Sequence, residues 1–197
     1  MKRKIAICLA MLMLWMPYSA GKAMPEVSSH SACVIDIDTG RILAAKNENE
    51  KSEPASITKI MTALIALENA DIKKIVTIPG AAAGVEGSSI YIKAGEKYSL
   101  EDLLYGLMLR SGNDAATAIA IDVAGSVDAF VEKMNQKAQE LGCTGTHFNN
   151  PHGLPDEKHY TTAHDMALIT AAALRNDTFV KIVSTKNYTA EPDGAGE

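Results

Sequence analysis

A chain of 197 residues, 47% of them hydrophobic, is long enough for one domain with a substantial core. Its formal charge of -5 is spread over interspersed acidic and basic residues. That argues against a long disordered tail and excludes general attraction to nucleic acid or an anionic membrane surface.

The N-terminus has three parts. Met1-Lys2-Arg3-Lys4 is basic, residues 5–16 are an apolar run, and Pro17 breaks it ahead of the small residues Ser19, Ala20, Gly21 and Ala23. This is the layout of a secretory signal peptide over 1–23, cleaved after Ala23, because the run is shorter than the roughly 20 apolar residues a spanning helix needs. Its removal takes away Lys2, Arg3, Lys4 and Lys22 and no acidic residue, so Lys+Arg falls from 19 to 15 against 24 Asp+Glu and the charge moves to -9. Two cysteines then remain, Cys33 and Cys143, both expected as buried free thiols packing as small hydrophobes. Neither belongs to a Cys-x-x-Cys pair, so no structural zinc site is expected.

Residues 32–37 and 41–45 read as two strands joined by the turn Asp38-Thr39-Gly40. After Pro54, the apolar residues Ile57, Ile60, Met61, Leu64, Ile65 and Leu67 recur at helical spacing as far as Glu68. Glycines punctuate 76–98, which predicts loops and small β pieces such as Ser89-Ile90-Tyr91-Ile92. Ser99 and Asp102 form a capping box for a helix to about Leu109. Helices over 113–123 and 127–141 end at Gly125 and Gly142. Residues 145–160 are loop. Thr162 and Asp165 repeat the capping-box pattern ahead of a helix to about Leu174, and 177–183 forms one more. One hairpin followed by a block of helices looks like the first part of an α+β domain, whose sheet awaits later strands.

Chemistry enters with Ala55-Ser56-Ile57-Thr58-Lys59. A serine at a helix start lies beside free backbone N–H groups, and a lysine three residues on shares its face. An amine held among apolar groups sheds its proton and can serve as base for the hydroxyl. Taken alone, the pair is equally an N-cap serine and a solvated lysine. Ser111-Gly112-Asn113, on a corner between two helices, adds a hydroxyl able to relay a proton and an amide able to hold both substrate and lysine. By itself this triplet is also an ordinary C-cap glycine and N-cap asparagine. Of the five histidines, His152, His159 and His164 are nearest in sequence, but their spacing fits no standard metal pattern, and packing and capping roles are expected.

Together these segments resemble the serine-type D-alanyl-D-alanine carboxypeptidases, the low-molecular-mass penicillin-binding proteins. Residues 54–63 resemble their active-site helix, 109–116 their Ser-x-Asn motif, and 148–154 and 159–163 two further segments. The resemblance spans roughly 28–185. It implies the penicillin-binding-protein/serine β-lactamase-like α+β fold, here an N-terminal hairpin plus a helical cluster. It also implies a partial catalytic domain over 24–197 and no cofactor or metal. Ser56 would be the nucleophile, Lys59 the general base, Ser111 the proton relay and Asn113 a substrate-binding residue. The partners implied are peptidoglycan stem peptides ending in D-Ala-D-Ala, and β-lactam antibiotics that acylate the same serine. Location would be extracytoplasmic.

The family's third motif, Lys-Thr-Gly on a strand lining the cleft, has no counterpart here; Asp38-Thr39-Gly40 is a turn and Cys143-Thr144-Gly145 follows a helix. The expectation is a C-terminally truncated member lacking the closing strands. Losing one oxyanion donor alone costs about 10²–10³ in rate. Two rival readings follow, a serine β-lactamase and an inactive wall-peptide-binding fragment. The first lacks its Glu-x-x-Leu-Asn segment, and Gly112 stands where those enzymes carry Asp.

Overall fold

The computed structural model describes residues 26–190. The leader expected over 1–23 lies outside them. Strands β1 (Ala32–Ile35) and β2 (Ile42–Lys46) form an antiparallel hairpin with a register shift between Val34 and Ile35. The turn closes as expected: Gly40, at φ +70, donates its N–H to Asp36 O at 2.8 Å, and Thr39 N–H reaches the Asp36 carboxylate. A 3₁₀ turn, Ala55–Thr58, leads into α1 (Lys59–Asn69). Then come β3 (Ile75–Thr77) and β4 (Lys97–Ser99), paired antiparallel. Helices α2 (Leu100–Arg110), α3 (Asn113–Ala124), α4 (Val127–Glu140), α5 (Ala163–Leu174) and α6 (Asp177–Ser184) complete the order.

Helix α1 is the hub, packed against α2, α3, α4, α5 and α6. Because neighbours surround it, Met61 through Ala66 are all buried, and the expected single apolar face is too narrow. Ile57 departs from that face and is 49% exposed. Fully buried Leu103, Leu104, Ile119, Phe130, Met134, Phe148 and Ile169 fill the space around the hub. Each such side chain contributes about 1.5–3 kcal/mol by leaving water.

Three local expectations change. Ser89–Ile92 forms no strand, because Tyr91 adopts a left-handed φ of +62 and the amides of Ile90 and Ile92 donate to the Asp114 carboxylate instead of to a ladder. The small sheet is built from its flanks, β3 and β4. The capping box at Ser99–Asp102 is complete, whereas at Thr162 only half forms. There Thr162 Oγ1 accepts from Asp165 N, but the Asp165 carboxylate turns to Gly145 N and Thr146 Oγ1, at 2.7 Å each, and ties down the 145–160 loop. Both cysteines are free. Cys143 is buried, and burial pushes its thiol up to about 12, while Cys33 is only half-buried.

The β1–β2 hairpin packs against α5 and remains two-stranded. Beside it, Ile35, Ile37, Ile57, Ile60, Met166 and Leu174 line an open apolar groove of about 440 Å³.

Candidate active site

The chain reaches the site through a strained entry. Ala55 takes φ +47, an unfavourable region for a residue with a Cβ, and Ser56 follows in the 3₁₀ turn with its side chain exposed. The turn persists because Gly153 packs directly under it. A Cβ built on Gly153 would lie 1.8 Å from Ala55 O and 3.0 Å from Thr58 Oγ1. Ser56 makes no N-cap bond of the ordinary kind; its hydroxyl faces Lys59.

Lys59 is 2% exposed although it opens α1. Its Nζ lies 2.8 Å from Asn113 Oδ1, 2.7 Å from His152 O and 3.2 Å from Ser56 Oγ. Burial lowers its pKa to about 8, from the usual 10.5. Once the amine has lost its proton, the same geometry leaves a defined arrangement. Two N–H bonds satisfy the two short acceptors, and the lone pair is left for the Ser56 hydroxyl proton.

Asn113 is the first residue of α3 and is 4% exposed. Its amide is held from behind: Nδ2 donates to Glu86 O at 2.6 Å and its backbone N donates to Ser88 O at 2.7 Å. Gly87, at φ +89, allows that approach, since a Cβ there would meet Asn113 Nδ2 at 2.7 Å. Ser111 is the left-handed C-cap of α2, at φ +58, so the serine and not Gly112 turns the corner. The structure therefore brings Ser56 and Asn113 each into direct contact with Lys59. Ser111 sits at the same corner but is not among the three partners of the lysine.

The 147–160 loop supplies what sequence reasoning missed, the His152 carbonyl and the Gly153 seat. It is anchored twice on the active-site segment. Thr62 Oγ1 donates to Pro151 O at 2.6 Å, and His159 Nε2 pairs with Thr58 Oγ1 at 2.8 Å. His159 Nδ1 accepts from Asn149 N, so the proton resides on Nε2, and burial pushes its pKa down to about 4. His152 is likewise pushed to about 4, by burial first and then by the Lys59 charge. Both rings are neutral packing elements, in line with the expected packing role. Among the described residues no cluster of His, Cys, Asp and Glu could hold a metal.

Residues 19–193 match the family model described as D-alanyl-D-alanine carboxypeptidase. The chain belongs to the D-alanyl-D-alanine carboxypeptidase family. It is 41% identical over 179 residues to D-alanyl-D-alanine carboxypeptidase DacF of Bacillus subtilis, a match covering 87% of this chain and 46% of that protein. It is 39% identical to DacB2 of Mycobacterium tuberculosis, covering 86% and 56% respectively. Among solved structures, penicillin binding protein 6B from Escherichia coli superposes with a TM-score of 0.82 at 32% identity, over 90% of this chain and 61% of that one. Penicillin binding protein 5 from Haemophilus influenzae gives 0.80 at 34% identity, over 87% and 54%. The fold is thus that of the penicillin-binding proteins, as the sequence led us to expect. The chain spans about half the length of the curated relatives it matches.

Proposed function

We propose that this chain carries the acyl-transfer centre of a serine-type D-Ala-D-Ala carboxypeptidase acting on peptidoglycan stem peptides. Ser56 attacks the carbonyl of the penultimate D-alanine, and the free amine of Lys59 takes the hydroxyl proton. The tetrahedral oxyanion collapses by breaking the peptide bond. The terminal D-alanine leaves as its amine receives a proton through Ser111, and water then releases the acyl group. Asn113 holds the substrate amide as well as the lysine. The Ser56 N–H, at the N-terminal end of the turn, serves the oxyanion. β-Lactams would acylate the same oxygen.

The observation that supports this most directly is a buried lysine whose amine has two fixed acceptors and the serine oxygen as its third neighbour. Incubation with a fluorescent penicillin is expected to label the protein covalently, and Ser56→Ala to abolish the band. Wild-type protein that is folded yet unlabelled overturns the proposal. That outcome would favour the second reading, a non-catalytic peptide-binding scaffold. The leader over 1–23 supports an extracytoplasmic site of action. N-terminal sequencing of the secreted product tests it, with Met24 expected as the first residue.

A further inference from the structure

One buried carboxylate next to the site has no part in the chemistry above. Asp114 is 0% exposed. It accepts Ser89 Oγ at 2.6 Å, Ile90 N at 3.1 Å to each oxygen, Ile92 N at 3.3 Å and Ala115 N at 2.9 Å. The first three of these donors belong to one segment, 89–92, which has strand-like sequence but no partner strand. Just upstream, that segment presents Glu86 O and Ser88 O to Asn113.

We infer that Asp114 is a positioning residue for the base: by clamping the 86–92 loop it fixes which way the Asn113 amide faces and so aims the amide oxygen at Lys59. This rests on the reading of Lys59 as the base. The two orientations of a primary amide have nearly the same shape, so only the surroundings choose between them. Here the Glu86 carbonyl demands the NH₂ group, which leaves Oδ1 for the lysine. A flipped amide would set carbonyl against carbonyl on one side and NH₂ against the amine on the other. On that side it would also occupy the lone pair that Ser56 needs. A loop held only by Asn113 itself cannot impose the choice; beside the packing of Ile90 and Ile92, Asp114 supplies the polar anchor that is independent of Asn113.

The test is Asp114→Asn, which keeps the shape but turns an NH₂ toward amide donors. The Lys59 side chain is followed by its ¹³Cε resonance between pH 6 and 11, assigned by its loss in Lys59→Arg. The wild-type midpoint is expected near 8. In the variant the ammonium loses an oxygen acceptor, so the midpoint falls by about half a unit or more. The high-pH plateau of penicillin acylation falls about tenfold. His152, the titratable group facing the lysine from the 147–160 loop, is pushed to about 4 and adds no step in this range. Ser89→Ala removes one donor and leaves the carboxylate buried, so it is expected to move the midpoint the same way by less. A wild-type midpoint near 10.5 sinks the base assignment itself. A wild-type midpoint near 8 that both variants share, with slower acylation tracking only a smaller folded fraction, overturns the Asp114 inference and leaves the base assignment standing.

Discussion

Replacing Gly153 by alanine tests whether the seat under the Ala55–Thr58 turn is a steric requirement. The added methyl would begin 1.8 Å from Ala55 O, where ordinary contact lies beyond 3 Å, so backbone must retreat by well over an ångström. The neighbour is a carbonyl held in an already strained turn, so it cannot swing aside as a side-chain tip would. Gly153 also sits at φ +91, which costs an L-residue about 1–2 kcal/mol. Forced overpacking adds about 1–3 kcal/mol, so the expected loss is about 2–5 kcal/mol. For a domain of this size that lowers Tm by roughly 5–15 °C. Retreat of the loop also draws the His152 carbonyl, one residue away, from its 2.7 Å bond with Lys59, so acylation slows even where the variant stays folded. Thermal melts and fluorescent-penicillin labelling well below both midpoints measure the two effects separately. A variant that melts within 1 °C of wild type and labels at the same rate would refute the reasoning.

The remaining predictions are shorter. With Lys59 as the proposed base, penicillin acylation should rise with pH, because the unprotonated amine would be the reactive form and burial lowers its pKa to about 8. The slope should be about tenfold per unit below pH 7 and level off above 9; a flat profile from 6 to 9 contradicts it. Relative to an unperturbed lysine at 10.5, a value near 8 raises the free-amine fraction at pH 7 about 300-fold. Phe148→Ala should cost about 3–5 kcal/mol in denaturant unfolding, because Phe148 is fully buried and meets the His159 ring edge-on. A loss below 1 kcal/mol would mean that the loop is not part of the core.

The helices were legible because their signals are local. Ser99 and Asp102 cap α2, and Gly125 and Gly142 close α3 and α4 at positive φ. What could not be read locally were choices made by partners far along the chain. Ile90 and Ile92 have the sequence of a strand, but a carboxylate 22 to 24 residues on claims their amides. Asp165 looks like half of a capping box, yet Gly145 and Thr146 take its oxygens. At the site the same division holds. The spacing of Ser56 and Lys59 announces a shared helical face, and Ser111 and Asn113 announce a polar corner. The second acceptor of the amine is a backbone carbonyl, at His152, and no side-chain pattern encodes that. Gly153 carries the matching constraint, since only a residue without a Cβ lets its backbone come so close to Ala55 O.

The three-residue interval between Ser56 and Lys59 has a consequence for the chain before it folds. Any helical fragment containing both would set them side by side, yet such a fragment leaves the lysine in water with an ordinary affinity for its proton. The groups that enclose and orient the amine come from 54 and 93 residues further on, at Asn113 and His152. On the proposed mechanism, reactivity would arrive only with this long-range closure, and an unfolded chain would carry an ordinary serine hydroxyl.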